Sequence, residues 1–445
     1  YKRNIPATSN ARPAYMNYKR IDVCRLCGSE QLTDVLSLGE QFLASSFVPT
    51  NEGNPLAKSR FPLTWTLCDR SKNPDACGLL QLRETVDRDL LYREYFYRSA
   101  TNPMMRDALK EIADEVQKRV SFQPGDAVMD IGCNDGTMLT FFPPSVGRFG
   151  IDPAKNIPAL PGLDPAIKIR TDYFSKAVAM EVSGGIQKFK AITSIAMFYD
   201  LNDPHAFVAD VKDILHSEGV WCIQLSYLSD IIQNMNFFDI CHEHLLYYSL
   251  GTLRTLLGMH DLEVVDASTN PVNGGSLRVF VKHRKDGLVV SPNVQGVLDE
   301  ETAMGLERPE TFHAFGKKIT DLKNSIVGYL QKEKERGGTV IGLGASTKGN
   351  VLLQYFNIGK DLVPYLCDRN PEKTGLRTLG TDIEVISEER MRAMHPSCLL
   401  VLIWFFRDEL LKREREYLEK GGAMLFPMPS PTLVTKDGET PLPSA

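Results

Sequence analysis

The sequence has no long hydrophobic run. Its longest apolar stretch, Cys398-Leu-Leu-Val-Leu-Ile-Trp-Phe-Phe406, suits a buried strand and falls far short of the ~20 residues a membrane span needs. An excess of positive charge is missing too. The net charge of −5 offers nothing to a nucleic-acid backbone or an anionic membrane surface. No short repeat or low-complexity tract interrupts the chain. The opening Tyr1-Lys-Arg-Asn has no apolar signal-peptide core, so the expected location is cytoplasmic. What remains is an ordinary globular composition, 43% hydrophobic and 24% charged over 445 residues, enough for two or three domains. Whether it forms a monomer or a homodimer is left open by these features.

Nine cysteines is an odd count. Cys133, Cys222, Cys241, Cys367 and Cys398 are scattered through alternating strand and helix patterns, which argues against a disulfide framework. The other four lie near the N-terminus as Cys24-Arg-Leu-Cys27, Cys68 and Cys77. Two thiolate pairs from separate segments can complete a tetrahedral zinc site, and four thiolates leave no open position for substrate, so such a zinc is structural. The second pair is loose. It reads as a tight pair into which the polar turn Asp69-Arg-Ser-Lys-Asn-Pro-Asp75 has been inserted. Four unrelated free thiols are the bland alternative, but the pairs flank a small segment with little core of its own.

Residues 1–20 are polar and expected to be poorly ordered, with the zinc-binding domain over 21–85. Met105, Leu109, Ile112 and Val116 recur at helical spacing after Pro103. Before them stands Tyr92-Arg-Glu-Tyr-Phe-Tyr97, a tyrosine cluster that fits packing or chemistry. From Asp126 the pattern alternates. Ala127–Ile131, Phe149–Asp152, Ala191–Ala196 and Val220–Leu225 read as strands, and Thr137–Phe142 as the start of a helix. This is the signature of a doubly wound parallel sheet over 86–310. A second αβ unit is expected over 311–445, with a helix from Lys317 to Arg336, strands at Thr339–Leu343, Val363–Asp368 and Leu399–Trp404, and a turn at Gly344–Asn350. The fold class is thus α/β: a small zinc-binding domain, a Rossmann-like domain and a second Rossmann-like αβ domain.

Asp130-Ile-Gly-Cys-Asn-Asp-Gly136 follows a strand and departs from the three-glycine dinucleotide pattern. It fits strand-D-x-G-x-x-x-G, the turn that receives the amino acid part of S-adenosylmethionine (SAM). Gly132 and Gly136 let the main chain approach the ligand without a Cβ clash, and Asn134 between them is a further expected cofactor contact. Asp152, ending the next strand, is placed to accept both ribose hydroxyls. Asp172 and Tyr173 are expected beside the adenine. An empty αβ turn is the alternative to this reading.

Cys241-His-Glu-His244 comes soon after a strand whose end should line the cleft. His242 and His244 with Glu243 between them are compatible with a metal site, with helix capping, or with a general base near neutral pH oriented by the glutamate. Further on, Ser346, Thr347 and Lys348 stand at an expected helix N-terminus. Backbone N–H groups, two hydroxyls and a lysine would suit a diphosphate; an empty structural turn is the alternative.

Together these motifs identify a likeness. The chain resembles the three-domain SAM-dependent nucleotide-sugar C-methyltransferases, of the type of the C3-methyltransferase of tetronitrose biosynthesis. The resemblance runs from about residue 21 onward. It rests on Cys77-Gly-Leu-Leu-Gln-Leu82, His242-Glu-His244, Asn273-Gly-Gly-Ser-Leu-Arg278, Gly344-Ala-Ser-Thr-Lys-Gly-Asn350 and Asp368-Arg-Asn-Pro-Glu-Lys-Thr-Gly375. It implies a zinc site, a SAM domain and a C-terminal domain that helps hold a nucleoside-diphosphate 4-keto-6-deoxyhexose. It also implies methylation at C3 by His244 as base, with Glu243, His242 and Tyr97 as its catalytic companions. Tyr95, Tyr199, Asp200, Asn273, Ser346, Lys348, Asn350 and Arg369 are the implied substrate contacts. Two positions depart from the family pattern: Cys241 replaces a tyrosine, and Asp200 stands where a histidine is usual. The competing expectations are an epimerase or O-methyltransferase of the same fold, a non-catalytic binding protein, and a metal hydrolase.

Overall fold

The computed structural model describes residues 18–93, 98–101, 103–157 and 159–443. The N-terminal strands are β1 (Tyr18–Arg20), β2 (Leu32–Gln41), β3 (Phe47–Val48), β4 (Phe61–Cys68), β5 (Leu80–Leu82) and β6 (Glu84–Val86). The expected loose segment therefore ends before Tyr18, because β1 pairs antiparallel with β6. Residues 1–17 lie outside the described residues.

The middle of the chain supplies β7 (Ala127–Ile131), β8 (Gly147–Asp152), β9 (Ile167–Thr171), β10 (Phe189–Ile195), β11 (Leu215–Ser226), β12 (Leu246–Tyr247), β13 (Leu262–Asn270) and β14 (Ser276–His283). Seven of them form one sheet in the order β13-β14-β11-β10-β7-β8-β9. The strands β9, β8, β7, β10 and β11 are parallel, and β14 inserts antiparallel beside β11. Every residue of β7 is buried, as a central strand covered on both faces requires. Strand order reverses between β7 and β10, which opens a crevice at their C-terminal ends. The helix expected from Thr137 is only a 3-10 turn, Met138–Phe141. Pro143 follows, and a residue before proline is driven out of the helical region; Phe142 is extended, at φ −88° and ψ 151°.

The last strands are β15 (Val340–Leu343), β16 (Tyr365–Asp368), β17 (Arg377–Thr378), β18 (Glu384–Ser387), β19 (Cys398–Val401), β20 (Ala423–Phe426), β21 (Thr432–Thr435) and β22 (Gly438–Pro441). They form a second sheet whose edge is completed by β3 from the N-terminal region. The long helix starts at Pro309 rather than Lys317 and ends at Glu335. Its first turns carry Phe312 and Phe315 onto Trp65 of β4, with ring centroids 6.1 and 5.8 Å apart. Among the described residues no helix is long and apolar enough to cross a membrane.

The fourth sheet, β12-β5-β4-β2, joins chain segments far apart. Strand β12 follows His244 directly and pairs with β5 of the cysteine-rich region. The Leu82 N–H also donates to the Leu245 carbonyl at 2.8 Å. The His-Glu-His segment therefore lies where the N-terminal and middle parts of the chain are sewn together.

Candidate active site and zinc centre

The four N-terminal cysteines converge. Their Sγ atoms all lie within 4.8 Å of one another, with Cys24–Cys77 at 3.5 Å and Cys27–Cys68 at 3.4 Å. None is in a disulfide. A zinc about 2.3 Å from each thiolate holds tetrahedral sulfurs about 3.8 Å apart, so the set fits the ion closely. Two further donors face Cys24 Sγ: the Gln81 amide at 3.1 Å and the Leu26 N–H at 3.4 Å. Such donors stabilise thiolate charge around a metal. The loose second pair closes because the inserted segment folds on itself. Asp69 is buried, and its carboxylate accepts from the Ser71 N–H (2.9 Å), the Ser71 hydroxyl (2.6 Å) and the Thr33 hydroxyl (2.6 Å).

The SAM candidates stand at the strand ends around the crevice. Asp130 ends β7 and accepts from the Thr193 hydroxyl at 2.6 Å. Burial pushes its carboxyl up to about 7, against the pull of that hydrogen bond. Gly132 has φ +76°, and a Cβ there would sit 2.9 Å from Met197 Cγ; Gly136 has φ +83°. Asn134, at φ +53°, gives its N–H to Asp152 Oδ2 at 2.9 Å, while Ala154 N–H donates to Asp152 Oδ1 at 2.9 Å. Each Asp152 oxygen thus keeps a second lone pair, the arrangement two vicinal ribose hydroxyls need. The segment before the helix Pro103–Arg119 caps this turn, with Ser99 N–H on Asn134 Oδ1 (3.0 Å) and Ala100 N–H on Asp135 Oδ2 (2.9 Å).

Asp172 accepts the Tyr173 N–H at 2.8 Å. The Tyr173 ring is fixed from the N-terminal side. Its hydroxyl donates to Asp89 at 2.8 Å, and the Arg88 and Arg93 guanidiniums lie 3.8 and 4.6 Å from its centroid. Both arginines flank or end the short helix Arg88–Tyr92, which brings the N-terminal region over the Asp172–Tyr173 side of the crevice.

In the His-Glu-His segment each histidine has a defined proton. His244 Nδ1 lies 2.9 Å from the Asp239 carbonyl oxygen. A carbonyl only accepts, so Nδ1 carries the hydrogen and Nε2 the lone pair. Burial lowers the affinity of His244 for a second proton, against the charges of Asp239 and Glu243. The ring is neutral at physiological pH and packs on Tyr199, centroids 4.3 Å apart. His242 donates through Nε2 to the Phe61 carbonyl at 3.1 Å, and burial likewise keeps it neutral. Its Nδ1 is buried without a partner among the described residues. Glu243 is buried, and among the described residues both its carboxylate oxygens lack a hydrogen-bond partner, as does the shielded Oδ1 of Asp200. Burial, reinforced by the charge of Glu243, pushes the Asp200 carboxyl well up.

The remaining candidates divide. Tyr95 and Tyr97 lie outside the described residues. Ser346 caps the helix Thr347–Tyr355, its Oγ accepting from Gly349 N–H at 3.0 Å. Asn350 is buried and donates to the Ala44 carbonyl at 2.7 Å. Arg369 is exposed and ion-paired with Glu409 and Glu388. Asn273 stands in a left-handed turn at φ +56°. Its carbonyl accepts from the Lys348 ammonium at 2.8 Å, and that ammonium also reaches Asp239, just before the His-Glu-His segment. Arg278 points inward, bonded to Gln224 at 2.8 Å and ion-paired with Glu111. Sequence reasoning missed Tyr92, whose hydroxyl donates to the Glu243 carbonyl at 2.8 Å, although the tyrosine cluster pointed near it. It also missed Asp239, which no motif marks.

Three family models match in series: a methyltransferase zinc binding domain at 24–92, a methyltransferase domain at 103–267 and a C-methyltransferase C-terminal domain at 271–429. The chain is 29% identical to C-methyltransferase NovU of Streptomyces niveus over 418 residues, 94% of this chain and 98% of that protein. The three matched models and this relative are together those of a C-methyltransferase with a zinc-binding N-terminal domain. It is a SAM-dependent methyltransferase and a zinc protein. Two solved structures resemble it over part of its length. The plantazolicin methyltransferase BpumL, in complex with a pentazolic desmethylPZN analogue and SAH, aligns with 42% of this C-methyltransferase and 87% of its own chain, at 15% identity and TM-score 0.33. The magnesium protoporphyrin IX methyltransferase of Synechocystis PCC 6803, with bound SAH, aligns with 41% and 88%, at 10% identity and TM-score 0.32.

Proposed function

We propose that this C-methyltransferase acts on a nucleoside-diphosphate 4-keto-6-deoxyhexose and methylates C3, with His244 as the base. The observation that carries the reading is the fixed tautomer of His244: a buried, neutral imidazole whose Nδ1–H is held by the Asp239 carbonyl. Its Nε2 lone pair is left for a substrate proton. The ketone at C4 acidifies the C3–H bond. His244 Nε2 takes that proton, and the electron pair moves toward the C4 oxygen. Hydrogen-bond donors at that oxygen lower the barrier, and Tyr97 is assigned that role. SAM, when bound, supplies a methyl carbon made electrophilic by its sulfonium. Asp130 and the glycine turn hold its amino acid part, and Asp152 its ribose. Glu243 and His242 shape the base's surroundings; Tyr95, Tyr199, Asp200 and Asn273 line the sugar. The C-terminal unit contributes Ser346, Asn350 and Arg369 to the nucleotide side. The division of labour is 21–85 for zinc, 86–310 for SAM and 311–445 for the nucleotide sugar.

The test is turnover in deuterium oxide with SAM and a 4-keto-6-deoxyhexose nucleotide, read by mass spectrometry. One added methyl and loss of the C3 hydrogen are expected, and H244N should abolish both while SAM binding persists. Deuterium incorporation without methyl transfer would replace the reading by an epimerase. Methylation on oxygen would exclude the enolate chemistry.

A further inference from the structure

Lys348 stands in the first turn of the helix Thr347–Tyr355, in the C-terminal part of the chain. Its ammonium donates to the Asn273 carbonyl at 2.8 Å and lies 3.0 Å from Asp239 Oδ1. The Phe238 and Phe405 rings flank it, 5.0 and 5.4 Å away. Asp239 is almost fully buried, at 2% exposure, and the lysine is its counter-charge. A lysine neutralised in this way has little net charge left for a diphosphate.

Asp239 has a second task. Its backbone carbonyl accepts from His244 Nδ1 at 2.9 Å and from the Tyr247 hydroxyl at 3.1 Å. It sits in the single turn Phe237–Asp239, whose Phe238 ring meets Trp404 edge-on at 4.2 Å. One residue is therefore gripped at its carboxylate by the C-terminal unit and grips the imidazole with its carbonyl. If that carbonyl shifts, the imidazole loses the acceptor that holds its proton on Nδ1, and the other tautomer competes.

We infer that Lys348 is a positioning residue for the base, acting through Asp239 to fix the carbonyl that orients His244 and sets its tautomer. The inference rests on the reading of His244 as the base. It makes proton abstraction depend on docking of the C-terminal unit against the catalytic loop.

The experiment compares K348M, K348R, D239N and K348M/D239N in the full-length zinc-loaded enzyme, with SAM binding by calorimetry as the check of folding. Displacing a reacting group by about 1 Å can cost 10²-fold, so K348M should lower kcat about 10- to 100-fold with KM for the sugar nucleotide nearly unchanged. K348R keeps the ion pair and should recover most of the rate. The double variant removes the unpaired buried carboxylate, so it should fold at least as well as K348M and be no slower, because the two residues act in series. A direct readout is the ring-nitrogen NMR signal of His244, identified by its disappearance in H244N: wild type should show a protonated Nδ1, and K348M a mixture of tautomers. An increase in KM with unchanged kcat in K348M would return the lysine to phosphate binding and overturn the inference. So would an unaltered His244 signal in a slow K348M. Full turnover by H244N would instead remove the base itself, and the ring signal would still tell whether Lys348 orients it.

Discussion

The Tyr92 hydroxyl donates to the Glu243 carbonyl across 2.8 Å of space and 151 positions of sequence. The tyrosine closes the helix Arg88–Tyr92, whose neighbour Arg93 is bonded to the Asp152 side of the crevice: its carbonyl accepts the Lys155 N–H at 3.0 Å. One short helix and its neighbour thus touch both the Asp152 rim of the crevice and the His-Glu-His segment. Removing the hydroxyl in Y92F should cost about 1 kcal/mol of loop stabilisation, seen as a several-fold lower kcat with SAM affinity unchanged. Loss of SAM binding instead would place Tyr92 in the cofactor rim alone.

The zinc site supports the same loop indirectly, because β5 lies between the last zinc ligand, Cys77, and the pairing with β12. Metal analysis should find one zinc per chain. C27S or a strong chelator should lower Tm by about 10 °C and, through loss of β5–β12 register, depress turnover. Full activity of a metal-free chain would contradict this.

Asp130 gives a pH dependence with a definite sign. Its carboxyl rises from an ordinary 3.8 to about 7 on folding, so between these values the native state binds the extra proton and the unfolded state does not. The free enzyme should therefore lose stability as pH rises from about 4 to about 7. SAM carries positive charge and favours the ionised form, so its affinity should rise over the upper part of that range. D130N should flatten both trends. Calorimetry at pH 6 and pH 8 measures it.

Asp200 is expected to be uncharged at neutral pH, since burial and the nearby Glu243 raise its carboxyl. An amide mimics a protonated acid in shape and donor capacity. D200N should keep most of the activity at pH 7, whereas D200A, which removes the polar group altogether, should lose more. If D200N is as damaged as D200A, the residue works as a carboxylate.

The four-thiol cluster, the glycine turn after β7 and the sheet itself were legible because their determinants are local. Cys24 and Cys27 declare a knuckle by spacing, and Asp130, Gly132 and Gly136 announce a turn that needs positive φ at its glycines. The strands β7, β8, β10 and β11 stand out as short buried runs. The inserted Asp69–Asp75 segment was legible as a turn, though not the buried carboxylate that folds it. The early start of the helix at Pro309 was missed because Phe312 and Phe315 have no partner in the local pattern; Trp65, far upstream, is what they pack on.

The sequence by itself determined which residues can do chemistry: a histidine pair with a glutamate, an acid at each of two strand ends, and four thiols. Only the tertiary structure decided how they are used. His244 owes its tautomer to the carbonyl of Asp239, Asp239 its counter-charge to Lys348, and Glu243 its place to Tyr92. Asp239 stands in a single turn nearby, whereas Lys348 and Tyr92 come from helices in distant parts of the chain. Proton position and charge state depend on burial and on the nearest donor or acceptor, and both are set by packing rather than by spacing along the chain.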